Sequence, residues 1–250
     1  MSTHSKRFEN KTALVTGGSR GIGAAIVRRL AQEGAAVAFT YAASDEKAKA
    51  LVASIEADGG RAVAIKADSK NAADIQRAVS STVEQLGSLN ILVNSAGILG
   101  LGSVDDFSIE AFDEMYAVNV RAAFIAAKAA SPVMERGGRI ITIGSVAGSQ
   151  SRFPGSSAYS MTKAAMVGMI RGLALDFASR GITVNNIQPG PTATDMNPAD
   201  APYLDSIIGL MPVGRLGTAD EIASMAAYLA SDEASFVTGA SHTVDGGYLA

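Results

Sequence analysis

The sequence predicts a single α/β domain with a doubly wound parallel sheet, and three observations carry that prediction. Short β-branched runs alternate with amphipathic segments from one end of the 250-residue chain to the other. The first run leads straight into a glycine-rich turn that opens an amphipathic segment. The composition, 48% hydrophobic and 18% charged, supplies one sizeable core, and no linker, repeat or low-complexity stretch divides it. Strands that alternate with helices are joined by right-handed crossovers, so the sheet is parallel and covered on both faces, with ligand sites beyond the carboxyl ends of its strands.

The strands are expected at residues 12–16, 36–40, 62–66, 91–94, 140–143 and 183–187, each a short run suited to burial. Between them, apolar residues recur at helical spacing: Ile22, Ile26 and Leu30; then Ile75, Val79, Val83 and Leu86; finally Ile222, Met225, Ala226 and Leu229. Residues 189–218 lack a clear period and carry four prolines after the first, which marks them as a substrate lid.

Composition excludes several classes of chemistry. The net charge is -3 with no sustained basic run, and Arg28-Arg29 reads as a solvated helix face, so neither nucleic acid nor an anionic membrane is an expected partner. Residues 1–10 are polar, with no apolar signal core, and no apolar run is long enough to span a bilayer, which leads to an expected cytoplasmic location. Cysteine is absent, and the two histidines, His4 and His242, are too few and too far apart for a histidine-based metal centre, so no metal is expected. Catalysis must use another acid or base.

The glycine-rich turn reads Thr16-Gly17-Gly18-Ser19-Arg20-Gly21-Ile22-Gly23. Glycines there allow a tight turn and the close approach of a pyrophosphate, whose charge is favoured by the unpaired amides and the dipole of the following helix. The turn lacks the Gly-Lys-Ser/Thr ending of a triphosphate loop, which argues against a kinase or ATPase. The second strand ends Phe39-Thr40-Tyr41-Ala42-Ala43-Ser44, with no carboxylate for ribose hydroxyls before Asp45, which is expected to cap the next helix. Arg20 is suited to pair with a 2′-phosphate, and Tyr41 and Ser44 are further phosphate contacts, so the expected cofactor is NADP(H).

Tyr159 and Lys163 are four residues apart on an expected helix whose apolar stripe continues through Met166 and Ile170. A phenol with an ordinary pKa of about 10 is no base at neutral pH. An ammonium about 4 Å away is worth roughly 4 kcal/mol at intermediate dielectric, or about three pKa units. Ser145 follows the strand at 140–143, where its hydroxyl can bond the carbonyl oxygen that Tyr159 protonates. Asn119, polar between Val118 and Val120, is placed to hold Lys163 through water.

These motifs, with Asn94-Ser95-Ala96-Gly97, Pro189-Gly190, Thr194 and Val244-Asp245-Gly246-Gly247, occur in the order seen in short-chain dehydrogenases/reductases, and the chain resembles that family from end to end. The resemblance implies a Rossmann-type sheet, with Tyr159 as acid/base, Lys163 lowering its pKa and binding the nicotinamide ribose, Ser145 orienting substrate and Asn119 supporting a water relay. It also implies cofactor contacts from Asp68 and Ser69 near the adenine, from Asn94, Ala96 and Gly97 along its length, and from Ile187, Pro189, Gly190, Thr192 and Thr194 near the carboxamide. Ser95 departs from the asparagine that many relatives carry. The closest subgroup it is similar to contains 3-oxoacyl carrier-protein reductases and carbonyl reductases, usually tetramers, with residues 239–250 packing across the interface.

The expected reaction is reduction of a ketone or 3-oxo ester in a mostly apolar pocket shaped by Val146, Gln150, Phe153, Met196, Tyr203, Ile207 and Met211. Arg121, Lys128, Arg152 and Arg171 are scattered basic candidates for an acyl carrier protein contact. The alternative is a cofactor-binding sensor or sequestering protein on the same fold. An activated phenol has no use in a pure binder, which favours the enzyme.

Overall fold

The computed structural model describes residues 6–198 and 203–250. His4 and the lid residues 199–202 lie outside the described residues. The elements run β1 (Thr12–Thr16), α1 (Gly21–Gln32), β2 (Ala36–Tyr41), α2 (Asp45–Ala57), β3 (Arg61–Lys66), α3 (Ala72–Leu86), β4 (Ile91–Asn94), α4 (Ile109–Tyr116), α5 (Ala122–Ala130), β5 (Arg139–Ile143), α6 (Ser157–Ala178), β6 (Thr183–Pro189), α7 (Leu204–Ile208), α8 (Ala219–Ala230) and β7 (Ser241–Val244).

The seven strands form one sheet in the order β3-β2-β1-β4-β5-β6-β7, and every neighbouring pair is parallel. This is the Rossmann-type doubly wound arrangement. From β1 the chain winds outward through β2 and β3, then crosses back to β4 on the other side. The helices on either side of that reversal diverge, which opens a crevice at the carboxyl ends of β1 and β4.

All six expected strands are present. β7 is an addition: Ser-His-Thr-Val offers no apolar run, and its pairing with β6, from Asn186↔Ser241 to Pro189↔Val244, fixes it as an edge. β6 runs to Pro189, two residues beyond its expected end, and β5 begins one residue early on Arg139. That arginine is buried, and its guanidinium donates to the backbone oxygens of Ser231 and Gly138 and pairs with Asp232.

Two apolar layers cover the sheet. One packs Ile26, Leu30, Ile222 and Ala226 of α1 and α8 against Val15, Val37 and Phe39. The other packs Ile75, Val79, Ala126, Ile170 and Phe177 of α3, α5 and α6 against Leu14, Leu92 and Ile140. Burial of each large aliphatic side chain contributes about 1.5–3 kcal/mol, so these stripes hold the helices to the sheet. Between α4 and α5 the chain makes a π-helical turn, Ala117–Arg121, and Asn119 sits at its centre. Among the described residues, no helix is long and apolar enough to cross a membrane, and no group of metal-binding side chains is assembled.

Candidate active site

The glycine turn is shaped by contacts that leave no room for side chains. Gly17 has φ +66°, and a Cβ there would stand 2.8 Å from the Ala96 Cα; one at Gly23 would lie 2.3 Å from the Gly17 carbonyl oxygen. The Gly17 amide donates to Thr40 Oγ1 at 3.0 Å, and the Gly18 amide to the Thr40 oxygen at 2.9 Å, tying the turn to β2. Arg20 is the N-cap residue of α1, but its side chain makes no capping bond to the first-turn amides. Uncapped amides at the positive end of a helix, beside a backbone that rejects Cβ atoms, suit a pyrophosphate. Ser19 and Gly21 lie in the same turn, and Ile22 packs its side chain on the core behind it.

At the end of β2 the outcome is mixed. Ser44 is the N-cap residue of α2 with no side-chain capping bond. The Tyr41 hydroxyl donates to Asp45 Oδ1 at 3.2 Å. Asp45 itself is the first helical residue rather than the cap, and its carboxylate pairs with Lys66 at 3.1 Å. Both follow from β3 lying beside β2, which brings Lys66 opposite Tyr41.

Across the crevice, Thr16 Oγ1 accepts from the Ser95 and Ala96 amides, which pins the loop after β4 onto the end of β1. Asn94 closes β4, buried, and its Oδ1 has no partner. It lines a cavity of about 20 Å³ with Thr16, Ser69, Asn119 and Thr142. Most of its wall is apolar, with Leu14, Ile75, Val118 and Ile143 among the lining side chains. Asp68 is half-exposed and accepts from the Lys70 amide at 2.9 Å. Gly97 lies beside Asn119 and Lys163, since a Cβ on it would stand 3.6 Å from the Lys163 Nζ.

Asn119 is a clamp. Its Oδ1 accepts from the Ile98 amide at 2.8 Å, while its Nδ2 donates to the Ile98 oxygen at 2.9 Å and to Thr162 Oγ1 at 3.1 Å. The asparagine thus fastens the β4 loop to α6, one residue before Lys163. Buried Lys163 donates to the Ile143 oxygen at 3.1 Å. Ser145 follows in extended conformation, its Oγ accepting from the Ala147 amide at 3.1 Å.

Tyr159, Lys163 and Ser145 therefore meet at the carboxyl end of β5, where burial acts on both titrating groups. Burial pushes the Tyr159 phenol above its ordinary value, and Ser145, within hydrogen-bonding range, pulls the other way. Lys163 Nζ stands 5.7 Å from the centre of the tyrosine ring, and burial lowers its own pKa to about 8. Removal of water penalises the charged form of each group.

A family model described as enoyl-(acyl carrier protein) reductase matches residues 17–249. The chain belongs to the short-chain dehydrogenase/reductase family. It is 46% identical over 241 residues, 96% of this chain and 98% of the relative, to the cyclic-di-GMP-binding biofilm dispersal mediator protein of Escherichia coli strain K12. It is 40% identical over 240 residues, 95% of this chain and 97% of the relative, to the 3-oxoacyl-(acyl-carrier-protein) reductase FabG of Staphylococcus aureus strain Mu50. A crystal structure of a short-chain dehydrogenase from Burkholderia cenocepacia J2315 in complex with NADP superposes with a TM-score of 0.96 at 47% identity, covering 98% of this chain and all of that one.

In this short-chain dehydrogenase/reductase, the segment expected as a lid begins where β6 ends. Gly190 packs against Asp245, where a Cβ would come within 2.7 Å of the backbone. Thr192 Oγ1 donates to the Gly190 oxygen, and Thr192 bridges to Gly217, closing the base of the lid. Val146 and Met211 share an apolar cluster with Tyr248, and Ile207 packs on it. Gln150, Phe153, Met196 and Tyr203 are exposed and join no such wall.

Tyr248 was not foreseen, because residues 239–250 read as an interface segment. In the structure its ring is buried against its own chain, with the Arg152 guanidinium stacked 4.7 Å from the ring centre. The only sequence signal for it was an aromatic directly after Val244-Asp245-Gly246-Gly247.

Proposed function

We propose that this protein is an NADPH-dependent reductase that converts a ketone or 3-oxo ester to a secondary alcohol, reversibly. The observation that carries the reading is the meeting of Ser145, Tyr159 and Lys163 at the end of β5, facing the glycine turn across the crevice. NADP(H), when bound, supplies or accepts the hydride. The residues suited to hold it are Gly17 to Gly23, Ser44, Asp68, Ser69, Asn94, Ala96, Gly97, Lys163 and the stretch from Pro189 to Thr194. Arg20 at the turn, with no carboxylate before Asp45, supports the 2′-phosphate form. The FabG relative and the NADP-bound neighbour point the same way.

In the mechanism, Ser145 Oγ donates a hydrogen bond to the substrate carbonyl and polarises it. As the carbonyl carbon gains a hydride, charge develops on its oxygen, and the Tyr159 hydroxyl transfers its proton there. The neutral phenol that burial favours is the form this direction requires. Lys163 then stabilises the phenolate and, with a pKa of about 8, is poised to pass a proton back at physiological pH. Asn119 acts by holding α6 and the β4 loop in register around them. Val146, Ile207 and Met211 form the apolar wall, and residues 189–218 are the substrate lid. The proposed assembly is a homotetramer in the cytoplasm.

The test is loss of NADPH absorbance against a panel of ketones including acetoacetyl esters, with NADH in parallel and Tyr159→Phe as control. Turnover with NADPH that disappears in the control is expected; equal or better use of NADH overturns the cofactor assignment. The name of the E. coli relative, a cyclic-di-GMP-binding mediator protein, supports a second reading, a nucleotide- or cofactor-binding sensor or sequestering protein on the same fold. Tight NADPH binding without turnover on any ketone would favour that reading.

A further inference from the structure

Three segments meet at one carboxylate on the rim of the crevice. Asp195, in a tight turn closed by the Asn197 amide donating to the Thr194 oxygen at 2.9 Å, belongs to the base of the lid. Its Oδ2 lies 2.7 Å from Lys47 Nζ, in the first turn of α2, and 4.0 Å from an Arg20 guanidinium nitrogen of the glycine turn. Thr194 stands directly beside that turn, 3.7 Å from where a Gly21 Cβ would be.

The charges around this point do not balance. Lys66 has Asp45, and Lys49 has Glu46. Among the described residues, Lys47 and Arg20 share Asp195 as their sole carboxylate partner. All three side chains are about half-exposed, so the arrangement is open to an incoming anion. The loop between them and β2, Ala42-Ala43-Ser44, carries no acid. Two cations around one carboxylate, next to an uncapped helix start, form a site that a phosphate dianion satisfies better than the resident monoanion.

We propose that Lys47 joins Arg20 in recognising the 2′-phosphate of the cofactor, and that Asp195 is the counter-ion this phosphate displaces. The inference rests on the NADP(H) reading and adds to it. Phosphate binding would take both cations from the lid, so the 2′-phosphate would be read and the base of the lid released in a single exchange of partners. Asp195 then acts as a specificity residue without touching the reacting atoms.

Calorimetric titration at low salt with 2′,5′-ADP and with 5′-AMP tests this without turnover. Lys47→Ala should weaken 2′,5′-ADP about two- to five-fold, and Asp195→Asn should tighten it by a similar factor, as expected for exposed charge pairs. Neither should move 5′-AMP, and both effects should shrink as salt rises. Wild-type preference for 2′,5′-ADP that neither substitution changes overturns the inference alone. Weaker binding in Asp195→Asn also overturns it, because the carboxylate would then support the site rather than compete in it. No preference for 2′,5′-ADP in the wild type or in Asp195→Asn overturns both the cofactor reading and the inference.

Discussion

The two edges of the sheet are built from similar residues to different ends. At the amino edge, polar side chains are paired. Glu33 is 2% exposed and gripped by Arg7 at 2.6 Å and by Arg29, Arg139 bonds the chain after α8, and Asn90 Oδ1 accepts from the Thr12 amide at 2.8 Å. At the carboxyl edge, among the described residues, Asn94 Oδ1 is unsatisfied, Lys163 has no carboxylate partner, and Lys47 and Arg20 share one acid. The separation is not perfect, since Thr183 Oγ1 at the start of β6 is also unpaired. The difference teaches that one edge is completed for stability, whereas the other keeps interactions in reserve for ligands.

Substitutions on the two edges should therefore fail differently. Tyr159→Phe should lower kcat about 10²–10⁴-fold, the range of a lost general acid, with NADPH affinity by fluorescence and the thermal midpoint nearly unchanged. A matching loss of stability would mean that the carboxyl edge is structural too. Lys163→Met should also lose activity, by about 10²-fold or more. The stability of wild type relative to this variant should depend on pH in a defined way, because the ammonium's folded pKa is depressed from 10.5 to about 8. The burial penalty is fully present below pH 8 and is relieved as pH rises to 10.5, so wild type should gain stability relative to the variant across that window. Urea midpoints at pH 7 and pH 10 check the sign.

At the opposite edge, Glu33→Gln should cost about 3 kcal/mol in urea unfolding, typical of breaking a buried pair, while kcat stays within about two-fold of wild type. Burial pushes the Glu33 carboxyl up, but Arg7 and Arg29 outweigh it and hold the pKa below 4.5. Its contribution is therefore present above that pH and lost as pH falls through the folded value, so the variant and wild type should converge in acid. The smallest effect belongs to the lid. Met211→Ala should shift the ratio of kcat/KM between short and long 3-oxo esters by about ten-fold, on the scale of one or two methylenes, without altering NADPH affinity. An unchanged ratio would remove Met211 from the substrate wall.

Much of this was legible because it is local. The six strands, the glycine turn and the four-residue step from Tyr159 to Lys163 depend on periodicity and spacing within a few residues. The strand ending in Ile143 placed Ser145 at the correct edge for the same reason. Asn119 was legible as a polar residue on an apolar background, but its partners Ile98 and Thr162 were not, because they lie 21 and 43 residues away in sequence.

The sequence by itself determined the order of β1 to β6, their parallel sheet and the four-residue step from Tyr159 to Lys163, since backbone propensity and apolar period act over short distances. Only the tertiary structure decided that β7 pairs with β6, that Tyr248 closes the wall beside Val146, and that Asp195 reaches Lys47. It also decided the direction of the Tyr159 shift. Spacing brings a lysine near a phenol, but the sign of the resulting pKa change depends on how much water the fold removes from both.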